Sequence, residues 1–300
     1  NAVPSKHNVR SMIAFQAQGG LGNQLFQYAA ARRLAIKHGC QLVVDHHWFD
    51  HPRPGETSRP LELNRYPVAM RLAMPFELLR WTPLRSRWGR YLKRLMPMNL
   101  LREHGHGVNR DVLSAPANSY LSGFWQSEAY FADIRQQLLQ ELTPIEPPGL
   151  NDLAMMDRMQ LGESVAVHVR RGDYVSLASA SAYHGLCTLD YYREAIAYVA
   201  ERVPSPALFV FSDNPDWTKA HLKSPFPTHY VDHNPSEQAF QDLRLMSLCR
   251  HHILANSSFS WWGAWLSAHA DGLVIAPERW YAVDRPTPDL IPTRWTRLAG

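Results

Sequence analysis

Cysteine is scarce in this chain of 300 residues: Cys40, Cys187 and Cys249 stand far apart, with no C-x-x-C pair. That spacing excludes a disulfide framework, argues against a structural zinc site and fits a reducing cytosol. No apolar run approaches the roughly 18 residues that a membrane span requires. The first ten residues are polar, with Lys6, His7 and Arg10, so no secretory signal is expected. Charge is thin as well, with 31 basic and 27 acidic residues giving +4. That balance is too mild and too dispersed for a nucleic-acid binder, but it suits an anionic small molecule. The fifteen histidines include His46-His47, His104-x-His106 and His251-His252. Nothing in the sequence sets a third ligand beside any of these pairs, so no metal is expected. The length allows one large or two modest domains with real cores.

What is present centres on Val165-Ala166-Val167-His168-Val169-Arg170-Arg171-Gly172-Asp173. Alternating valines read as one buried face of a strand, which puts His168 and Arg170 together on the other. Gly172 permits a sharp turn at the strand end. A guanidinium presents five donors in a planar fork that matches two phosphate oxygens, and ligands of α/β sheets bind at strand ends. The stretch therefore reads as a diphosphate clamp. A structural explanation competes, with Arg170 and Arg171 as surface charges and His168 as a satisfied core residue. It is weakened because two polar groups on an otherwise β-branched strand must find partners.

Upstream, Met12 to Ala17 reads as a strand and Gln18-Gly19-Gly20-Leu21-Gly22-Asn23-Gln24 as a glycine-rich turn. Leu25 to Gly39 then reads as an amphipathic helix and Gln41 to Asp45 as a second strand. Such a start aims bare amides and a helix N-terminus at one spot, an anion or sugar site lined by Gly20, Gly22, Asn23 and Gln24. A dinucleotide fingerprint is the second reading, with Asp45 as the ribose acid. Leu25 stands where its third glycine should be.

His46 to His106 is rich in proline and arginine, with Phe76–Leu79 and Trp88–Leu95 as short helical candidates. Tyr120 to Trp125 returns to strand pattern, and a helix follows with Ser127 as its cap. Thr143-Pro144-Ile145-Glu146-Pro147-Pro148-Gly149 breaks all periodicity. It divides a Rossmann-like domain over 1–146, carrying the glycine-rich loop, from a second Rossmann-like domain over 147–300.

Beyond that break, strands and helices alternate as in a parallel sheet. Three strand ends carry polar groups: the clamp, Phe211-Ser212-Asp213-Asn214, and Ala255-Asn256-Ser257-Ser258-Phe259-Ser260. The last is a strand-to-helix turn whose amides can cradle phosphate, and a plain N-cap would need only one of its serines. Trp262 and Trp265, at helical spacing, read as core. Asp242 lies on the preceding helix, where a carboxylate facing a nucleotide would accept the two N–H donors of guanine. No D-x-D pair occurs anywhere. A diphosphate would then be neutralised by arginine and helix dipoles rather than by a divalent ion.

Gly19 to Tyr28, Trp125-Gln126-Ser127-Glu128, the clamp, Leu189-Asp190-Tyr191-Tyr192, Phe211 to Asn214 and Ala255 to Trp265 occur in order. In these motifs the sequence resembles the α-1,2-fucosyltransferases of glycosyltransferase family 11, from about Ile13 to Trp280. The resemblance implies a GT-B-like fold, two Rossmann-like domains facing across a cleft. It also implies metal-independent, inverting transfer of L-fucose from GDP-β-L-fucose to the 2-hydroxyl of a β-galactoside. Carried over residue by residue, it makes Arg170 and Asn23 catalytic and sets His168 on the donor. Asp242 would read guanine, Ser257, Ser258 and Phe259 would line the nucleotide, and Gly20 would meet the sugar-phosphate. Gly22, Gln24, Arg171, Asp173, Asp213, Asn256 and Ser260 complete the expected binding set.

No cofactor is expected, and the partners are GDP-fucose and a glycan ending in galactose. With no membrane anchor in view, the expectation is a bacterial cytoplasmic enzyme of surface-glycan synthesis, peripheral at most to the inner membrane. Asp45, Glu77, Glu128 and Asp173 stand as possible bases. Another GDP-sugar such as GDP-mannose, a nicotinamide or flavin oxidoreductase, and a non-catalytic glycan-binding module are the alternatives.

Overall fold

A computed structural model describes residues 11–51, 59–85, 98–171 and 185–299. They fall into two compact units that meet at Leu142 and Thr143, ahead of the boundary expected at 146. The reason is local. Arg244 donates to the carbonyls of Pro144 and Glu146, and Gln241 to that of Pro147, so the proline-rich break is stitched onto the second unit.

In the first unit β1 (Met12–Gln16), α1 (Leu21–His38) and β2 (Gln41–Asp45) form the expected β-loop-α-β start. Helix α1 ends at Gly39, whose φ of 57° lies in the left-handed region open to glycine. Then come β3 (Arg71–Leu72), α2 (Pro75–Arg80), β4 (Asn99–Arg102), β5 (Ser119–Ser122) and α3 (Arg135–Glu141). All strand pairs are parallel, in the order β3-β2-β1-β5-β4. Ala14, Val43, Trp81 and Tyr120 pack one face of this sheet. Strands β3 and β4 escaped the sequence reading because two and four residues show no usable alternation. The helix expected after Trp125 begins as two 3₁₀ turns, although Ser127 does cap the first, its Oγ accepting from the Ala129 amide. The Trp88–Leu95 candidate lies outside the described residues.

The second unit runs α4 (Leu150–Gln160), β6 (Ser164–Val169), α5 (Leu189–Ala200), β7 (Ala207–Ser212), α6 (Pro215–His221) and β8 (Thr228–Val231). It continues with α7 (Ala239–Leu248), β9 (His251–Ile253), α8 (Ser258–Trp265), β10 (Val274–Pro277) and β11 (Thr296–Leu298). The order is β11-β10-β9-β6-β7-β8, again with every pair parallel.

The clamp strand is β6, and all six of its residues are buried, as a central strand of a doubly covered parallel sheet requires. Val165, Val167 and Val169 pack with Tyr191, Tyr192 and Val199 of α5. Ala166 packs on the other face with Leu245 and Met246 of α7. The period of two is real, but the face that carries His168 is covered rather than open. Trp261, Trp262 and Trp265 are all core, with Trp261 Nε1 donating to the Leu290 carbonyl.

Candidate active site at the strand ends

Both sheets place their polar signatures where strand order reverses. In the first unit the chain leaves β1 toward β2 and β3, and later fills the other side with β5 and β4. In open α/β sheets ligands bind at the carboxyl ends of the strands that flank such a switch. The loop after β1 turns at Gly19, whose φ of +77° suits only glycine. Beside it Gly20 caps α1 without a side chain, and no atom lies within 4 Å of where a Cβ would stand. Asn23 Oδ1 accepts from Gln126 Nε2 at 2.8 Å, which joins the ends of β1 and β5. Its Nδ2 donates to no described residue and remains available at a helix N-terminus, where anions are favoured. Gln126 follows Trp125, a residue with φ of 56°. The Glu103 carboxylate holds that turn by accepting from the Phe124 and Trp125 amides.

Three expectations for this loop need correction. Helix α1 starts at Leu21, so Gly22 lies buried inside its first turn rather than in an open turn. Gln24 is fully buried, donating to the Gly19 and Pro60 carbonyls and accepting from the Glu62 amide. Its amide is thus spent on holding two loops together and does not reach a ligand. Asp45 is fully buried too, paired with Arg85 at 2.7 Å and accepting from Tyr120 Oη and the His47 amide. It can serve neither a ribose nor an acceptor. Glu77, another of the possible bases, is gripped by both Arg71 nitrogens and caps the amide of Met74. Glu128 sits half-buried in its 3₁₀ turn.

In the second unit the switch lies between β6 and β9, since β7 and β8 extend one side of β6 and β9 to β11 the other. Arg170 leaves β6 and Ser257 leaves β9, and Arg170 Nη1 donates to Ser257 Oγ at 3.2 Å across the gap. Ser257 is the N-cap of α8 and also accepts from the Phe259 amide. Ser258 and Phe259 are half-buried in the first turn, where backbone amides lack helical partners. His168 is 7% exposed, its ring 5.6 Å from that of Phe259. Burial, reinforced by the Arg170 charge, pushes its imidazole down to about 3. It is neutral at physiological pH, and its buried Nδ1 has no partner.

Arg171 lies with its guanidinium 3.6 Å from the ring centre of Trp217, a cation–π stack that engages the face of the guanidinium rather than its N–H edges. Asp213 accepts from the Arg171 amide at 2.7 Å, so it shapes the loop through the backbone. Two more expectations are corrected. Asn256 is buried, donating to the Gly185 and Trp280 carbonyls, and Ser260 Oγ donates to those of Ala255 and Ser257. Both are braces of the turn. Asp173 lies outside the described residues.

At the start of α7, Asp242 joins a cluster the sequence did not reveal. Asn234 Nδ2 donates to Asp242 Oδ1 and to Asp152 Oδ1, both at 2.9 Å, and His233 Nε2 meets that same Asp152 oxygen. Burial pushes the Asp242 carboxyl up to about 7, against the hydrogen bond from Asn234. Its second oxygen carries no hydrogen bond among the described residues. Among those residues, too, no three His, Cys, Asp or Glu side chains are grouped to hold a metal. His252 Nε2 meets the Met246 carbonyl instead, and His251 meets Glu163.

Each unit is a parallel α/β sheet of the kind that GT-B-like folds contain, and in the second a guanidinium and a capped helix N-terminus meet at the strand ends. Residues 82–299 match the sequence model of glycosyl transferase family 11. The chain belongs to that family. It is 32% identical to an alpha-1,2-colitosyltransferase of Escherichia coli, over 96% of this chain and 99% of that one. It is also 32% identical to the O-antigen biosynthesis glycosyltransferase WbnK of Escherichia coli, over 88% and 93%. In fold it is similar to a mutant of Arabidopsis thaliana FUT1 in complex with GDP, with a TM-score of 0.50 and 14% identity. That match covers 93% of this chain and 72% of the plant one.

Proposed function

We propose that the chain transfers L-fucose from GDP-β-L-fucose to the 2-hydroxyl of a β-galactoside, with inversion and without a metal ion. The observation that carries this reading is the Arg170–Ser257 bridge across the β6–β9 switch, in a chain of family 11. As the bond from fucose C1 to the β-phosphate oxygen breaks, the sugar carbon becomes cationic and the phosphate gains charge. Fixed donors aimed at that charge lower the barrier. Arg170 supplies the planar fork and the α8 N-terminus adds its dipole. His168 stays neutral and lines the donor beside Phe259. Arg171, held flat on Trp217, offers its edge to the diphosphate, and Asp242 reads the guanine edge.

A second donor has support of its own. The nearly full-length similarity to a colitosyltransferase favours GDP-colitose, whose sugar is fucose without its 3-hydroxyl. The likeness to WbnK, an O-antigen biosynthesis glycosyltransferase, supports a place in surface-glycan assembly. The test incubates the protein with GDP-fucose, GDP-colitose or GDP-mannose and a panel of β-galactosides, with the linkage read by NMR. We expect an α-1,2-linked 6-deoxyhexose on galactose, at a rate unchanged by EDTA. A thermal shift given by NADH and not by GDP would favour the oxidoreductase instead.

A further inference from the structure

We propose that the segment from Arg71 to Trp81, in the first unit, docks on an anionic lipid bilayer. The proposal goes beyond the transferase reading and does not depend on it.

Leu72, Met74, Phe76 and Leu79 are each more than half exposed, Leu79 by 76%. So many large apolar side chains in so short a stretch are costly to leave in water and mark a surface that something covers. Their exposure follows from the local pattern. Leu72 ends β3, the edge strand of its sheet, and the chain stays extended at Met74. Ala73, between them, is buried with Trp81, Met98 and Tyr120, so Leu72 and Met74 share the opposite side. Helix α2 begins at Pro75 and keeps the same sidedness. Glu77 and Trp81 are buried and Leu78 packs on the core, while Phe76, Leu79 and Arg80 share the outer face at a spacing of three and four. A surface helix ordinarily turns polar residues outward there.

Charge decides what covers this face. Glu77, the one acid from Arg71 to Trp81, is turned inward and accepts from Arg71 Nη1 and Nη2 at 2.7 and 2.8 Å. The outer face therefore shows charge of one sign, that of the exposed Arg80 beside Leu79. Upstream the pattern is the same, with Glu62 buried and Arg65 exposed. A second copy packed on this face about a two-fold axis would bring two copies of Arg80 into one apolar interface, where like charges oppose association. A bilayer of acidic phospholipid accepts both parts, arginine among the headgroups and phenylalanine and leucine at the acyl boundary. With six residues, α2 can lie in that boundary and is far too short to span it. Leu150 and Leu161, at the two ends of α4, are 86% exposed each, but the exposed acid Asp157 lies between them. They serve as the control.

The test is flotation of the full chain with vesicles of phosphatidylcholine alone, or of phosphatidylcholine mixed in equal parts with phosphatidylglycerol. Binding should require phosphatidylglycerol and should weaken as salt screens the headgroups. Phe76→Ser combined with Leu79→Ser should weaken it about tenfold or more, and Arg80→Gln alone about fivefold. Leu150→Ser combined with Leu161→Ser should bind as wild type does. Thermal unfolding of each variant should match wild type, and Arg80→Gln, which removes no apolar group, tests the face even if the double substitution impairs folding. No binding to the phosphatidylglycerol vesicles, equal binding to both kinds, or equal loss in the Leu150 and Leu161 control would overturn the proposal. So would a concentration-dependent dimer that the Phe76 and Leu79 substitutions break up, which would assign the face to a second copy. Transfer from a GDP-sugar is measured separately, so neither result decides the other.

Discussion

Arg170→Lys is expected to lower kcat/KM for GDP-fucose about 100- to 1000-fold, the usual cost of removing one donor aimed at a charge that develops in the transition state. Lysine keeps the positive charge, so the long-range attraction that brings an anionic donor to the site survives. What disappears is the planar fork. Arg170 Nη1 donates to Ser257 Oγ, which tethers the guanidinium between two strand ends. A flexible ammonium offers no second donor in that plane. GDP affinity should therefore fall less than turnover, because the loss is concentrated where the phosphate gains charge. Calorimetry with GDP beside steady-state kinetics separates the two effects. Turnover within a few-fold of wild type would contradict the clamp.

Asp242→Asn is expected to weaken GDP binding by about 3–4 kcal/mol, on the order of 100- to 1000-fold. Guanine offers two N–H donors on one edge, and a carboxylate answers both with charge-assisted bonds. The asparagine amide would set a donor against one of them. Asn234, held by Asp152, should keep the side chain in place, so the change tests recognition rather than folding. Wild type should prefer GDP to IDP, which lacks the 2-amino group, and the variant should lose most of that preference.

The same carboxylate sets a pH dependence. Burial leaves it near 7 in the free protein, and a guanine reader would have to act in its ionised form. Affinity for a GDP-sugar, whose diphosphate does not titrate in this range, should rise by up to tenfold per pH unit to about 7 and then level off. His233, Asp152 and Asn234 face the group, with His233 and Asn234 both held on the Asp152 carboxylate. A flat profile in wild type would count against Asp242 as the guanine reader.

The sequence made the architecture legible wherever periodicity was long. The β1-α1-β2 start, the clamp strand and the alternating second half all stand where hydrophobic spacing puts them. Elements of two to four residues, such as β3, β4 and β11, leave no period to detect. At the sites, residue type was a good guide to location and a poorer one to role. Gln24, Asn256 and Ser260 lie in the turns where they were expected, yet each spends its polar atoms on backbone carbonyls. A glycine-rich loop or a sharp strand-to-helix turn needs such braces before it can present anything to a ligand.

Trp217 and the Asn234 cluster were missed for a different reason, since each acts on residues distant in sequence. Trp217 gave no signal, because the guanidinium it supports lies on another strand end.

The most direct measurement is a crystal structure of the protein with GDP bound. The account predicts the β-phosphate within hydrogen-bond distance, about 3 Å, of Arg170 and the Ser257–Ser258 turn, with the guanine edge on Asp242. GDP bound at another place in the second unit, or an Arg170 side chain turned away from the phosphate, would contradict it.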